Sequence, residues 1–245
     1  MKDLLRKLFN AMHLMRAPFL RKALLIHRVA ATTEHESVLR KGPIATVVDI
    51  GANRGQFSLA ARHHHPDAQI VAFEPLPTAA AVYRKVFVND RRTMLHVAAV
   101  SPADGEATMQ ISRREDSSSL LPISQLQTAL YPEVVAIGTA KVPTAPLDRF
   151  LSVDDIAAPA LLKIDVQGFE LEVLKASVGL LPRFARVYVE ASFVTLYEGQ
   201  ALAYQVVDFL REQHFLLTGI YNPAYHPRSG DMLQADLLFT REISD

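Results

Sequence analysis

The stretch Thr46-Val47-Val48-Asp49-Ile50-Gly51-Ala52-Asn53-Arg54-Gly55-Gln56-Phe57 constrains this chain more than any other. A β-branched run closes on Asp49 and Ile50, two glycines bracket a tight turn, and a helical pattern starts at Gln56. The nearly continuous apolar run over residues 44–50 fits a parallel strand covered on both faces. Glycine after such a strand lets the backbone turn sharply and lets a ligand approach where a Cβ would stand in the way. The helix that follows directs its unpaired N–H groups into the same space. The stretch is a ligand loop at the carboxyl end of a first strand.

The kind of ligand follows from spacing. Glu74 lies about twenty residues beyond the loop, at the end of a second apolar run, where nucleoside-binding α/β folds place an acid for ribose hydroxyls. A carboxylate can accept from both hydroxyls of one ribose. The third glycine of the dinucleotide fingerprint is missing, and Phe57 and Ser58 occupy its region. A single nucleoside without a diphosphate is therefore expected. Asp49 either orients a cationic amino group or holds the loop by hydrogen bonds, and the sequence leaves these two open.

Strand and helix alternate from residue 44 onward, which argues for a layered α/β fold. Helices are expected over 56–65, 77–88, 169–176 and 201–213. Strands are expected over 69–73, 93–100, 160–166, 186–191 and 215–221, with 235–240 inserting antiparallel at the end. An extended piece follows at 106–112, and 113–143 reads as an excursion with one short helix. Residues 221–234 read as a polar rim loop.

Composition bounds the function classes. The chain has 245 residues, 49% of them hydrophobic, enough for one sizeable core. Lys plus Arg equals Asp plus Glu at 26 each, so no global field favours nucleic acid. There is no cysteine, hence no disulfide framework or thiolate metal site. No apolar run approaches the roughly 20 residues of a spanning helix. Up to Ala30, however, seven cations (Lys2, Arg6, Lys7, Arg16, Arg21, Lys22, Arg28) face the single acid Asp3. Leu4, Leu5, Leu8, Phe9, Met12 and Met15 recur there at helical spacing. The expected organisation is a basic amphipathic helical extension over 1–40 and a catalytic domain over 41–245. The extension packs on the domain, joins two copies as a homodimer, or rests on an anionic membrane surface. A cytoplasmic protein with peripheral contact at the inner membrane is the matching location.

Several motifs together resemble the FkbM-type methyltransferases. They are Asp49-Ile-Gly-Ala-Asn-Arg-Gly55, Phe73-Glu-Pro75, Asp104-Gly-Glu106, Ser117-Ser-Ser119 and Leu162-Lys-Ile-Asp-Val-Gln-Gly-Phe-Glu-Leu-Glu-Val-Leu174. Glu190-Ala-Ser-Phe193 and Leu196-Tyr-Glu-Gly-Gln200 extend the likeness. The resemblance implies a class I, Rossmann-like fold: a mostly parallel seven-stranded sheet with helices on both faces. It implies S-adenosylmethionine as methyl donor and O-methylation of a hydroxyl on a sugar or a polyketide-type natural product. A deoxysugar of a glycolipid is the first expectation for the acceptor. Carried over, Asp49, Gly51, Ala52, Asn53 and Gly55 would line the methionine end, Glu74 with Pro75 would hold the ribose, and Ala98, Ala99 and Val100 would flank the adenine.

Methyl transfer to an alcohol needs alignment and a base for the hydroxyl proton. Asp165 and Glu190, at the ends of later strands, are the expected acid nearest the acceptor and its partner. His226 is a second candidate base. The two acids could instead hold a divalent cation such as Mg²⁺, and Asp165 could serve only as a helix cap. Lys163 is expected to pair with Glu170 or Glu190. The competing readings are a nicotinamide-dependent sugar oxidoreductase and a non-catalytic nucleoside-binding or membrane-adaptor module.

Overall fold

The computed structural model describes residues 17–242. The apolar positions expected to form an amphipathic helix between Leu4 and Met15 lie outside the described residues. The chain then runs through α1 (Pro18–His27), α2 (Glu36–Leu39), β1 (Thr46–Ile50), α3 (Gln56–His64), β2 (Gln69–Phe73), α4 (Pro77–Val86) and β3 (Thr93–His96). Next come β4 (Ala99–Val100), β5 (Gly105–Ser112), α5 (Gln125–Leu130) and β6 (Ala136–Ala145). The second half holds β7 (Ala160–Ile164), α6 (Glu170–Ala176), β8 (Arg186–Ser192), α7 (Ala203–Glu212), β9 (Phe215–Tyr225) and β10 (Met232–Arg241).

Seven strands form one sheet in the order β3-β2-β1-β7-β8-β10-β9. β1, β2, β3, β7 and β8 pair in parallel, and β10 inserts antiparallel between β8 and β9. This is the mostly parallel seven-stranded arrangement expected from the sequence. All five residues of β1 and of β7 are buried, because these central strands are covered on both faces. One face packs α6 and α7 through Val173, Leu174, Val206 and Leu210. The other packs α3 through Phe57, Leu59 and Ala61, together with Leu20, Ala23, Val38 and Leu39 from the N-terminal segment. Pro18 opens α1, where its missing N–H costs nothing.

Three expectations are corrected. The strand expected over 93–100 is two pieces: Thr93–His96 edges the large sheet, while Ala99–Val100 crosses into a three-stranded sheet of order β4-β6-β5. The excursion over 113–143 contains most of β6, whose first half is exposed and lacks apolar alternation. The rim loop over 221–234 shrinks to a hairpin turn at 226–231, because β9 runs to Tyr225 and β10 begins at Met232.

Register decides which side chains meet. Asp49 neighbours Lys163, Lys163 neighbours Tyr188, and Glu190 neighbours Asp236. Residues opposite one another, and those two apart on one strand, share a face. Asp49, Lys163, Tyr188, Glu190 and Asp236 therefore lie on the face covered by the N-terminal segment.

Candidate active site

A cavity of about 460 Å³ opens at the carboxyl ends of β1, β2 and β7. Open α/β sheets place ligands there, outside the strand ends where the chain reverses its order. Gly51, Asn53 and Gly55 take φ of +79°, +49° and +98°, which bends the loop so that the Gly51 and Ala52 N–H groups donate to Phe73 O. Gly51, Ala52 and Asn53 line the cavity. Gly55 stands behind it, where a Cβ would strike the Phe87 and Tyr83 rings.

Glu74 is fixed from both sides. Its Oε2 accepts from the Asn53 N–H at 2.9 Å and its Oε1 from the Leu76 N–H at 2.8 Å. Burial pushes its carboxyl up to about 7, opposed by those two N–H bonds and by the Lys163 charge. Beside it, Pro75, Leu76, Ala98, Ala99, Val100, Met109 and Leu120 make an apolar slot on the cavity wall. The other arm of the cavity carries Asn53 Oδ1 and Gln56 Oε1, both buried and without a hydrogen-bond partner. An apolar slot, an anchored acid and two orphaned acceptors suit an aromatic base, a ribose and an ammonium in that order.

Asp49 lies beneath the wall rather than on it. Its Oδ2 accepts from Ser58 Oγ at 2.7 Å, and Lys163 Nζ stands 3.1 Å from its Oδ1. Lys163 thus pairs with Asp49 rather than with the expected Glu170 or Glu190, and it also donates to Gly51 O at 2.9 Å. Burial alone would lower the Lys163 pKa, but Asp49 and then Asp165 hold it above the ordinary lysine value.

Asp165 does line the cavity, and its side chain stays 39% exposed. It does not cap α6: Phe169 holds the cap position and no side chain caps the helix, while Glu170 Oε1 accepts the Val166 and Gly168 N–H groups of the turn before it. Gln167 is the link to Glu190. Its Nε2 donates to Asp165 Oδ1 at 2.8 Å and to Glu190 Oε2 at 3.0 Å, and the Tyr197 hydroxyl lies 2.9 Å from its Oε1. Glu190 is off the cavity wall and also accepts from Gln234. Burial, then the Asp165, Asp236 and Glu170 charges, pushes its pKa well up. Asp165 and Glu190 are thus bridged by an amide. Among the described residues no group of three or more His, Cys, Asp or Glu side chains is placed to hold a metal ion. His226 sits at the β9–β10 turn, outside the cavity lining, with Nδ1 facing the Arg228 and Ser229 N–H groups.

Sequence reasoning missed the wall made by residues 30–35, and within 115–120 it marked only the Ser117-Ser-Ser119 run, as part of the family likeness. Thr32, Glu34 and His35 come from the N-terminal segment, and Glu115, Asp116 and Ser118 from the excursion. The Ser117-Ser-Ser119 run is pinned: Ser119 pairs with Gln110 and donates to Gln167 O at 2.6 Å. No local pattern marks Thr32, Glu34, His35, Glu115 or Asp116 as site-forming.

Sheet order, glycine loop and anchored acid define a nucleoside-binding enzyme fold of the class I methyltransferase type. A model of the Methyltransferase FkbM domain matches residues 49–217. The chain belongs to that family and is a methyltransferase. It is 30% identical over 180 residues to the 2-O-methyltransferase NoeI of Sinorhizobium fredii, covering 71% of this chain and 74% of that one. It is 30% identical over 213 residues to the 31-O-demethyl-FK506 methyltransferase FkbM of Streptomyces tacrolimicus, covering 78% and 79%. An uncharacterized protein from Listeria monocytogenes serotype 4b shares the fold alone, with a TM-score of 0.50 at 7% identity over 87% of this chain and 69% of that one.

Proposed function

We propose that the enzyme transfers a methyl group from S-adenosylmethionine to a hydroxyl of a sugar or polyketide-type natural product, with a glycolipid deoxysugar as the leading acceptor. One observation carries the reading. The cavity that holds the anchored Glu74 and the apolar slot is continuous with the open carboxylate of Asp165. Glu74 would hold the ribose, Pro75 and residues 98–100 the adenine, and Asn53 and Gln56 the ammonium. Asp49 and Gly55 would shape the loop from behind. The bound sulfonium supplies an electrophilic methyl, so the protein's task is to align an oxygen with it and exclude water. Asp165, held by Gln167 against Glu190, would be the acid nearest the acceptor. The O-methyltransferases among the relatives support a hydroxyl as acceptor.

Peripheral contact with a membrane fits the same picture. No helix among the described residues is long and apolar enough to cross a membrane. Leu25 and Ile26 of α1 are exposed beside Lys22, and the chain runs from α1 directly into the cavity wall at residues 30–35. A glycolipid would reach the cavity from that side, at the cytoplasmic surface of the inner membrane.

Calorimetric titration with S-adenosylhomocysteine, NAD and NADP, followed by methylation of a panel of methyl glycosides, tests the reading. Binding of S-adenosylhomocysteine alone, weakened by about 1–3 kcal/mol in Glu74→Ala, is expected. Binding of NAD or NADP instead would move the chemistry to hydride transfer.

A further inference from the structure

His35 lines the same cavity as Asp165 and Gln167, from the N-terminal segment, and its side chain is 16% exposed. Its Nδ1 lies 2.9 Å from the Tyr188 hydroxyl and 3.5 Å from Asp236 Oδ2. The Tyr188 hydroxyl donates to Asp236 Oδ2 at 2.8 Å, and Asn222 Nδ2 donates to the same oxygen at 2.7 Å. A phenol has one proton. With that proton on Asp236, the Tyr188 oxygen accepts at 2.9 Å from His35 Nδ1, which then carries the imidazole hydrogen; the Asn222 amide, whose short bond goes to Asp236, lies farther off, 3.3 Å from that oxygen and 3.4 Å from Nδ1. Nε2 is left with its lone pair and has no hydrogen bond to the described residues. Phe57 and Tyr188 pack edge-on against the ring at 5.4 and 5.5 Å and fix its plane.

We propose that His35 is the general base for the acceptor hydroxyl, with Tyr188 and Asp236 as positioning residues that set its tautomer. This rests on the hydroxyl-acceptor reading above. The arrangement has the order of a hydrolase triad, with a base, an orienting hydrogen bond and a buried carboxylate, and a phenol interposed. Both oxygens of Asp165 already face donors, Gln167 Nε2 on one and Lys163 Nζ at 3.8 Å on the other. The Nε2 lone pair does not. An imidazole is also the side chain best matched to proton transfer near neutral pH. In the step, the hydroxyl proton passes to Nε2 and the oxygen lone pair forms the new O–CH₃ bond. The methyl–sulfur bond breaks with its electron pair left on sulfur, and the imidazolium returns its proton to solvent. Asp236, 3.5 Å from Nδ1, stabilises that imidazolium. His35, Asn222 and Asp236 all fall outside the family-matched region, so the family likeness assigns them nothing.

Two measurements test this, and the first needs no acceptor. The ¹⁵N spectrum of the histidine-labelled protein should show His35 as the Nδ1–H tautomer with a bare Nε2, and Asp236→Asn should mix the two tautomers. A wild-type His35 protonated only at Nε2 overturns the proposal, whether or not a methylated glycoside has been found. In the second, His35→Gln should lower kcat for the methylated glycoside by about 10²–10⁴-fold while S-adenosylhomocysteine affinity stays within twofold, which also shows the fold intact. A kcat within threefold of wild type overturns the proposal. Failure of S-adenosylhomocysteine to bind would instead overturn the methyl-donor reading, and the tautomer would still report on His35.

Discussion

Lys163 Nζ stands 3.1 Å from Asp49 Oδ1, and both side chains are buried beneath the glycine loop. Through its further bond to Gly51 O, this lysine ties the ends of β1 and β7 to the turn that lines the cavity. Removing one partner of a buried pair leaves the other charge stranded. Lys163→Met should therefore destabilise the protein by about 3–5 kcal/mol, read from the urea midpoint at constant m-value. A loss below about 1 kcal/mol would mean that Ser58 alone satisfies Asp49.

Glu74 should make cofactor affinity depend on pH. Its carboxyl is pushed up to about 7, by burial first, so the ligand-free protein is partly protonated at neutrality. Ribose hydroxyls donate hydrogen bonds and so favour the ionised form. Binding should release a proton, and S-adenosylhomocysteine affinity should rise between about pH 6 and 8. Glu74→Gln should flatten that rise. Calorimetry in buffers of differing ionisation enthalpy counts the proton directly, and a count of zero at pH 6.5 would refute the coupling.

The half of the site written on contiguous residues was legible. The Gly51 loop and Glu74 could be read because glycine and a strand-end acid at that spacing mark one type of backbone turn and one type of ligand group. β1 and β7 were legible because double burial makes a continuous apolar run. The other half depends on tertiary pairing. His35 reaches the cavity only because Val38 and Leu39 dock the N-terminal segment on the sheet. Asp236 meets Glu190 only because β10 inserts between β8 and β9. Gln167 stood inside a recognised motif, yet its bridging role appears only when Asp165 and Glu190 are brought within reach of one amide.

Gly51 has no room for a side chain. A Cβ there would overlap the Asp165 carbonyl oxygen, and φ is +79°. The left-handed conformation adds about 1–2 kcal/mol for any other L-residue. Gly51→Ala should lower the melting temperature and abolish S-adenosylhomocysteine binding together, because the loop must move off β7 to relieve the overlap. Unchanged melting with unchanged affinity would show that the contact between loop and strand is not rigid.

Glu170 is one of the raised carboxyls that slope the stability curve. Burial pushes it up to about 7 from 4.5, opposed chiefly by the Gly168 N–H. A raised carboxyl binds more protons in the folded than in the unfolded state between those values, so stability falls as pH rises through that window. Its contribution is full below about 4.5 and lost above about 7. Glu74 acts in the same direction, so the difference between wild type and Glu170→Gln isolates this residue. The variant keeps an oxygen for the Val166 and Gly168 N–H groups and should show the shallower decline in urea titrations between pH 5 and pH 8.

The exposed face of α1 supplies the last prediction. Phe19, Leu25 and Ile26 are 40%, 65% and 66% exposed, with Arg21 and Lys22 between them. Burying a Leu or Ile side chain in lipid contributes about 1.5–3 kcal/mol, and nearby cations add attraction to anionic headgroups. The protein should sediment with vesicles containing phosphatidylserine and not with neutral ones, less so at high salt. Leu25→Ser with Ile26→Ser should cut that binding at least about tenfold while leaving S-adenosylhomocysteine affinity alone. If both vesicle types fail to bind and the same double variant instead splits a dimer in sedimentation equilibrium, the face joins two copies. The acceptor would then enter from solution.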